Sequence, residues 1–330
     1  MKKCLILNNR EPIPEDHLQD LNDQLESVWY QKTEPGFSLD EAVTANPDTH
    51  IIITTYMNLT ADYLQQMPQL EAIIATTIST HFIDSGYCRE HGIQIFNTEN
   101  YTGSSVAEHA VALMMAGMRK IPAIDHEVRQ GNTDCFDFPG IEMAGKTAGI
   151  IGFGNIGRYV AQLLSGFNMR LQYYNRSPRD SLIAEGVDLE TLLATSDVVL
   201  MTTPLNNDSH HVIDADALKR MKPSALLVNI SPDDVMDMAA VRDALHTGQI
   251  GGVALDLLVV DFFLETPNTV LTSRRAWYTH ECFSRRIHQW KSTLEAYLEG
   301  RQQQSLNSLD FVPIKDYGLQ DKETESNHEK

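Results

Sequence analysis

The chain has 330 residues, of which 42% are apolar and 22% charged, the composition of a globular protein long enough for two domains. Its 45 acidic residues outnumber its 26 basic ones, and a surface with a net charge of −19 repels the phosphates of nucleic acid. No apolar run approaches the ~20 residues of a membrane span. We therefore expect neither nucleic acid nor a membrane as a partner.

The N-terminal residues and the four cysteines predict a cytoplasmic location. The chain opens with two lysines and then only four apolar residues, which is too short for a signal peptide and typical of a first buried strand. No two cysteines are close enough to form a C-x-x-C pair. We therefore expect four free thiols in a reducing compartment.

The first hundred residues alternate short apolar runs with helical segments. Four apolar runs predict strands, at residues 4–7, Ile51–Thr54, Ala72–Ala75 and Gln94–Phe96. Such alternation favours a parallel sheet that is covered by helices on both faces.

A long helical pattern at residues 105–119 precedes a second alternating series. Ser104 or Ser105 can cap this helix, and Glu108 has the capping-box spacing from Ser105. Strand patterns then recur between residues 146 and 272, and residues 282–298 have the pattern of a long terminal helix.

This order of elements predicts an α/β protein with two doubly wound parallel-sheet domains. One domain is discontinuous and comprises residues 1–100 and 281–314, because the terminal helix crosses back to it. The other comprises residues 101–280. Residues 315–330 are polar and poor in apolar side chains, so we expect a disordered tail.

A glycine-rich sequence follows the apolar strand at residues 148–151 and opens a helical pattern. Gly152, Gly154 and Gly157 have the G-x-G-x-x-G spacing. In this context the first glycine permits a tight turn, the second lets the backbone approach a pyrophosphate, and the third lets the helix pack closely on the strand. The motif predicts a Rossmann domain that binds NAD or NADP at the helix N-terminus. The alternative is a glycine-rich turn without a ligand.

About 20 residues later the chain reaches Asn175, Arg176 and Ser177, where an acidic residue would bind the ribose hydroxyls of NAD. A neutral Asn175 does not repel a 2′-phosphate, which Arg176 and Ser177 could bind, with Arg179 as a further contact. The pattern therefore favours NADP over NAD. The alternative is that Arg176 points to solvent and Asn175 binds the ribose, which permits NAD.

Six segments resemble the D-isomer-specific 2-hydroxyacid dehydrogenase family over nearly the whole chain, up to about residue 298. They are SVAEH at residues 105–109, GKTAGIIGFGNIGR at 145–158, TPL at 203–205, LLVN at 226–229, GQIGGVALDL at 248–257 and NTVLT at 268–272.

The resemblance implies a flavodoxin-like substrate domain beside the Rossmann cofactor domain. It implies NAD or NADP as cofactor, a small-molecule substrate, and a homodimer formed largely through the cofactor domain. Together with the glycine motif, it makes the following residues candidates for binding the cofactor: Gly152, Gly154, Asn155, Ile156, Gly157, Asn175, Arg176, Ser177, Thr203, Pro204, Ile230, Asp256 and Val106.

Family members carry a catalytic Arg, Glu and His, and this chain departs from all three. Pro232 stands where the Arg that binds the substrate carboxylate is expected, and Arg274 replaces the His that protonates the carbonyl oxygen. Asp261 is the nearest match to the Glu, with Glu265 as a rival. Arg274 cannot donate a proton at neutral pH, but it could bind an anion or pair with Asp261. We therefore expect little activity on ordinary 2-keto acids.

Several other residues are candidates at the substrate end. The family's G-x-G loop is replaced by Thr77-Ile78-Ser79 and followed by His81, so Thr77, Ser79 and His81 become candidates for binding the substrate. His81 would face the cleft and is also a candidate acid. His280 is a second candidate acid, with an ordinary capping or surface histidine as the alternative.

Three further features have plainer interpretations. His109 lies inside the SVAEH helix and is expected to be structural. His210 and His211 are expected to be solvated, and we predict no metal site. Asp233 and Asp234 are expected to cap a helix, although they could also reject anionic substrates.

Two functions remain open at this point. The first is an NAD(P)-dependent oxidoreductase that transfers hydride to or from a small hydroxy or keto substrate of a non-standard kind. Its candidate catalytic residues are Arg274, Asp261 and His280. The second is a catalytically inactive NAD(P)-binding protein that acts as a sensor or as a partner of another protein.

Overall fold

The computed structural model describes residues 1–8, 24–31, 36–99 and 101–301. The tail predicted at residues 315–330 lies outside the described residues, as do residues 302–314. The chain divides into two compact units, one comprising Met1–Tyr101 and Phe283–Lys330 and the other Thr102–Cys282. No helix in the described ranges is both long enough and apolar enough to cross a membrane.

The first unit contains a five-stranded parallel sheet. Its strands are β1 (Lys3–Asn8), β2 (Glu26–Gln31), β3 (Ile51–Thr54), β4 (Ala72–Ala75) and β5 (Gln94–Phe96). They lie in the order β2-β1-β3-β4-β5. The helices between them are α1 (Leu39–Thr44), α2 (Ala61–Leu64) and α3 (Ser85–Glu90).

The second unit contains a seven-stranded parallel sheet and begins with α4 (Gly103–Met118) and α5 (Ile121–Arg129). Its strands are β6 (Thr147–Ile151), β7 (Arg170–Tyr174), β8 (Glu185–Gly186), β9 (Val198–Met201), β10 (Leu226–Asn229), β11 (Gly252–Asp256) and β12 (Thr269–Thr272). The helices among them are α6 (Asn155–Leu164), α7 (Leu189–Thr195), α8 (Ala215–Arg220) and α9 (Met238–His246), and α10 (His280–Leu298) follows. The strand order is β12-β11-β10-β9-β6-β7-β8.

The two parallel sheets confirm the predicted fold class, and burial explains why their strands read as continuous apolar runs. Every residue of β3, β4, β9 and β10 is buried, because helices cover both faces of each sheet. In the first unit, one face of the sheet packs on α1 to α3. The other face packs on Ile287, Trp290 and Leu294 of α10. The terminal helix thus completes a core that begins at β1.

The strand order reverses between β6 and β9, and ligands of such sheets bind at this point, beyond the carboxyl ends of the strands. Gly152 follows β6, Thr203 follows β9, Ile230 follows β10, and Asp256 ends β11. Parallel strands present their carboxyl ends at one edge of the sheet. These four predicted cofactor-binding residues therefore share that edge.

Two helices begin earlier than predicted. Helix α4 begins at Gly103, so Ser105 lies inside it and does not cap it; its Oγ lies 3.0 Å from Oγ1 of Thr279. Helix α10 begins two residues before Cys282, because Thr279 Oγ1 accepts a hydrogen bond from the Cys282 amide and so occupies the capping position. The hydroxyl of Thr279 therefore contacts both helices and caps the second.

Candidate functional site

The turn after β6 cannot accept a side chain at two of its three glycines. Gly152 has a φ of 96°, and a Cβ there would lie 2.8 Å from the backbone of Thr203. A Cβ on Gly157 would lie 2.3 Å from the carbonyl oxygen of Gly152. Both positions require glycine, the first for the tight turn and the second for the close approach of α6.

Gly154 differs from its neighbours, because a Cβ there would meet no atom within 4 Å. It immediately precedes the ten-residue helix α6, and no side chain caps that helix. The first N–H groups of a helix lack partners within it and carry the positive end of its dipole. Open space before such an N-terminus fits the pyrophosphate of a dinucleotide.

The remaining candidates for binding the cofactor lie at the starts of helices or after a strand of the second unit. Asn155 and Ile156 are the first two residues of α6, and Pro204 follows Thr203 after β9. Val106 is buried in the first turns of α4.

Side chains from two other strand ends hold the glycine turn in place. Thr202 Oγ1 donates to the carbonyl oxygen of Gly152 at 2.5 Å. Asn175 Oδ1 accepts from the Phe153 amide at 3.0 Å, and its Nδ2 donates to the carbonyl oxygen of Ser177 at 2.7 Å. Asn175 therefore ties the end of β7 to the turn. Thr202 is not among the candidates from sequence, because a lone threonine after a strand is not part of a recognisable binding motif.

Arg176 forms an ion pair with Asp208, with 2.7 Å between Nη1 and Oδ2. The two side chains are 74% and 65% exposed. A pair this exposed contributes roughly 0–1 kcal/mol, so an anion can compete for the guanidinium at small cost. Asp208 nevertheless places a negative charge beside Arg176, the residue predicted to bind a 2′-phosphate.

Arg274 pairs with Asp233 in place of Asp261, with 3.5 Å between Nη1 and Oδ1. The carboxylate of Asp233 also accepts from the backbone amides of Leu258 at 3.2 Å and Val259 at 3.4 Å. Asp261 is exposed at the start of a one-turn 3-10 helix. The carboxylate that reaches the guanidinium thus comes from the segment after β10 and belongs to the residue that follows Pro232.

The helix-capping role predicted for Asp233 is wrong. Asp233 begins a one-turn 3-10 helix after Pro232, and the residue that caps α9 is Asp237, which accepts from the Ala240 amide at 3.0 Å. Burial raises the pKa of Asp233 above its ordinary value, while a backbone amide and Arg274 act in the opposite direction. Asp233 therefore pairs with Arg274 and does not cap a helix.

Two buried side chains next to Pro232 have polar atoms without a hydrogen-bond partner among the described residues. They are Nδ2 of Asn229, the last residue of β10, and Oγ of Ser231. A buried polar atom left without a partner costs about 1–3 kcal/mol, and a bound ligand can remove that cost. The carboxyl end of β10 thus carries two buried polar atoms whose hydrogen bonding is incomplete among the described residues.

Asp256 ends β11 and is only 2% exposed. Its carboxylate accepts from Thr272 Oγ1 at 2.6 Å, from the Arg275 amide at 2.8 Å and from the Ala276 amide at 2.9 Å. These bonds wrap the loop after β12 around the carboxylate. Arg274 lies in that loop with a φ of 51°, a left-handed conformation that is uncommon for a residue with a side chain. Asp256 therefore positions Arg274.

His109 on α4 joins the same network. Its Nε2 lies 3.0 Å from Thr272 Oγ1 and 3.9 Å from Asp256 Oδ1. Because the Thr272 hydroxyl donates to Asp256, it accepts from His109, which places a hydrogen on Nε2. The sequence analysis treated His109 as structural, and no sequence pattern connects it to a threonine so far along the chain.

Among the described residues, the remaining candidates form no hydrogen bond with this network. His280 is exposed as the first residue of α10. In the first unit, Thr77 Oγ1 donates to the carbonyl oxygen of Ser79 at 2.7 Å, and Ser79 Oγ lies 2.7 Å from His81 Nδ1. Thr77, Ser79 and His81 thus form one local network in the loop after β4.

The paired histidines after β9 and the cysteines are further reactive side chains in the described ranges. The rings of His210 and His211 stack with centroids 4.0 Å apart, and no group of three His, Cys, Asp or Glu there could hold a metal ion. All four cysteines are free, as predicted. Burial raises the pKa of Cys4 to about 12, so that thiol is not a nucleophile at neutral pH.

Comparison with known families finds one match. The model for "D-isomer specific 2-hydroxyacid dehydrogenase, NAD binding domain" matches residues 111–276. That range contains all seven strands of the second sheet, the glycine turn, Asp233 and Arg274.

Two curated relatives cover most of the chain. A glycerate dehydrogenase of Methylorubrum extorquens is 32% identical over 288 residues, which is 83% of this chain and 90% of the relative. A glyoxylate reductase of Korarchaeum cryptofilum is 30% identical over 323 residues, which is 93% of this chain and 97% of the relative.

Two solved structures share the fold over nearly their full length. One is an acyclic imino acid reductase in complex with NADPH and D-Arg, with a TM-score of 0.81 and 28% identity. The other is the TT0316 protein of Thermus thermophilus, with a TM-score of 0.82 and 25% identity. Each match covers 92% of this chain and 99% of the other.

Proposed function

This chain belongs to the D-isomer specific 2-hydroxyacid dehydrogenase family, and from that membership we propose that it transfers hydride between a nicotinamide dinucleotide and a small organic acid. The observation that carries the proposal is the glycine turn, where Gly152 and Gly157 admit no side chain and Gly154 faces open space. Glycerate and glyoxylate, in the names of the two relatives, are small 2-hydroxy and 2-oxo acids.

The dinucleotide would bind along the carboxyl edge of the second sheet. Gly154 and the first amides of α6 would bind the pyrophosphate, and Thr203, Pro204 and Ile230 would line the path beyond β9 and β10. When bound, the nicotinamide ring accepts or supplies the hydride.

We propose NADP as the preferred cofactor. Asn175 carries no charge that would repel a 2′-phosphate, and Arg176 is exposed beside it. The imino acid reductase with the same fold is bound to NADPH. Dissociation constants for NADPH and NADH, measured at one ionic strength, test the preference. Tighter binding of NADH would contradict it.

Arg274 is the proposed anchor for the substrate carboxylate. Its guanidinium lies 3.5 Å from the carboxylate of Asp233, the residue after Pro232, and the loop around Asp256 holds it in place. Asp261 and His280 remain catalytic candidates but are exposed outside this network. In the first unit, Thr77, Ser79 and His81 remain the proposed substrate-binding loop.

We expect little turnover on pyruvate, glyoxylate or hydroxypyruvate. The residue at the acid position, Arg274, keeps its proton at neutral pH, and loss of a positioned acid typically lowers the rate by ~10²–10⁴-fold. The absorbance of reduced nicotinamide measures the rate directly. Turnover of ~10 s⁻¹ on any of the three, the median for enzymes, would contradict this expectation.

The second candidate function is cofactor binding without turnover, as in a sensor or a partner protein. The replacements at Pro232 and Arg274 favour it, since they remove both the expected anchor and the expected acid. A panel of keto acids, aldehydes and imines separates the two functions. Tight binding of NADPH or NADH with no oxidation across the panel would favour the second.

A further inference from the structure

The ion pair of Asp233 and Arg274 is loose and accessible. The 3.5 Å between Nη1 and Oδ1 exceeds the ~2.7–2.9 Å of a tight charge-assisted hydrogen bond. The Arg274 side chain is 41% exposed and that of Asp233 is 20% exposed. Both charged groups therefore retain hydrogen-bonding capacity for a ligand.

Hydrogen bonds to neighbouring backbone groups fix the positions of both Arg274 and Asp233. The loop that carries Arg274 is fixed by the buried carboxylate of Asp256. Asp233 is fixed by the amides of Leu258 and Val259. Charges that are positioned before a ligand arrives cost little reorganisation when it binds.

We propose that this pair recognises a substrate with a carboxylate and a positively charged nitrogen on adjacent carbons, which describes a 2-iminium acid and its 2-amino acid product. The proposal rests on the proposed hydride transfer and names its substrate class. Arg274 binds the carboxylate, and Asp233 accepts a hydrogen bond from the nitrogen. The two adjacent opposite charges of the ligand meet two adjacent opposite charges of the protein.

Two buried polar atoms lie close in sequence to this pair. Ser231 Oγ and Asn229 Nδ2 are within four residues of Asp233 and find no partner among the described residues. Such atoms are rare in folded proteins. The proposal itself rests on the two charges.

The same arrangement disfavours a 2-oxo acid. Reduction of its carbonyl group develops negative charge on oxygen, which requires a proton donor or a cation there. The carboxylate of Asp233 would instead lie beside that oxygen and repel it. Arg274, engaged by the substrate carboxylate, cannot supply the proton.

An iminium substrate removes this difficulty because it brings its own proton and positive charge. A C–H bond forms at the substrate carbon, and the π pair of the C=N bond becomes the lone pair of the nitrogen, which thereby becomes neutral. The hydrogen and its two electrons come from the reduced nicotinamide, whose ring takes up the positive charge on oxidation. No proton is transferred in this step, and the amine takes one from water afterwards.

Binding of product-like probes tests the proposal without turnover. Calorimetry with NADP⁺-saturated protein compares D-alanine, which has an ammonium group, with D-lactate, which has a hydroxyl group. We expect D-alanine to bind about tenfold or more tightly, since hydrogen bonds to charged groups contribute about 1.5–3 kcal/mol. Absence of that preference, including no measurable binding of either probe, overturns the proposal.

Two variants assign the preference to a residue. Asp233→Asn keeps an acceptor oxygen for the backbone amides but loses the charge, and it should abolish the preference for D-alanine. Asp234→Asn is the matched control, because it removes the neighbouring negative charge and should leave the preference unchanged. The proposal falls if Asp233→Asn retains the preference. The wild-type comparison decides the matter if that variant fails to fold.

A product assay separates failure of this proposal from failure of the proposed function. The protein is incubated with NADPH and pyruvate, with and without ammonium, and alanine and lactate are quantified. Alanine formed only with ammonium supports the proposal. Lactate formed equally under both conditions supports hydride transfer and overturns the iminium substrate. Failure to bind NADPH, measured by its fluorescence, overturns the proposed function itself.

Discussion

Asn175 and Arg176 are neighbours in sequence, but their side chains have different tasks. Asn175 is engaged with the Phe153 amide and the Ser177 carbonyl, so it supports the glycine turn as well as removing a negative charge. Arg176 is at the surface and pairs with Asp208. Under the proposed preference for NADP, discrimination between the two cofactors depends on how readily Arg176 leaves Asp208.

Removal of Asp208 should strengthen NADPH binding. In Asp208→Ala, Arg176 has no competing carboxylate, so the dissociation constant for NADPH should fall by about two- to fivefold, the scale of an exposed ion pair. The constant for NADH should change little. Asp243→Ala, an exposed acid on α9, controls for the change in net charge. An equal effect of both variants on NADPH would contradict a specific role for Arg176.

A side chain at Gly154 should abolish cofactor binding without disturbing the fold. Its Cβ has open space in the free protein, so Gly154→Val should fold normally and block the approach of the pyrophosphate. Gly166→Val is the matched control, since a Cβ there also has open space, just beyond the other end of α6. Fluorescence titration with NADPH measures binding, and circular dichroism checks the fold. Unchanged affinity in Gly154→Val would refute the assignment.

At the scale of elements, Asp197 joins the starts of the three central strands of the second sheet. Its carboxylate accepts from the Thr147 amide of β6 at 2.8 Å and from Lys222 Nζ at 2.9 Å. Its carbonyl oxygen accepts from the Leu226 amide of β10. Burial raises the pKa of Asp197, but the bonds from Thr147 and Lys222 outweigh it, so the net pKa is lowered.

Asp197→Asn should lower the free energy of unfolding by about 1–2 kcal/mol at neutral pH. Because the folded state lowers this pKa, the contribution is fully present above the ordinary Asp value of ~3.9 and is lost as the pH falls through the folded value. Urea unfolding at pH 7 and pH 3 should therefore show a difference between variant and wild type that shrinks at pH 3. Asp137→Asn, at an exposed position, should show no difference at either pH. A difference that persists at pH 3 would exclude the charge as its cause.

At the scale of the whole molecule, each unit has its own apolar core, and the second unit also exposes apolar side chains. Helix α5 has no buried residue, Ile121 and Val128 on it are about half exposed, and Phe136 after it is 93% exposed. Contiguous apolar patches mark surfaces that bind other proteins, and Ile121 and Val128 are seven residues apart, which places them on the same side of the helix.

We expect this surface to form the homodimer implied by the family resemblance. Light scattering after size exclusion should give twice the 37.1 kDa of the chain. Ile121→Asp should shift the mass toward that of one chain, because a charge in an apolar interface is costly. Leu182→Asp, at a fully exposed position in a different segment, should leave the dimer intact. A monomeric wild type would contradict the expectation.

The sequence by itself determined the architecture and the cofactor turn. Apolar runs bounded by turns predict parallel strands because both faces of such a sheet are buried, and burial imposes the same composition wherever it occurs. The spacing of Gly152, Gly154 and Gly157 predicts the turn because the backbone conformation and close contacts there exclude other residues. The absence of the family's Arg and His at Pro232 and Arg274 stays a prediction from the sequence.

Only the tertiary structure decided which charges and hydroxyls meet. The pair of Asp233 with Arg274, the loop wrapped around Asp256, and the contact of His109 with Thr272 all join residues that are far apart in the chain. Periodicity cannot reveal such pairs, because it reports which face of an element is buried and not which side chain lies opposite. Those contacts depend on how strand ends and loops are placed in space.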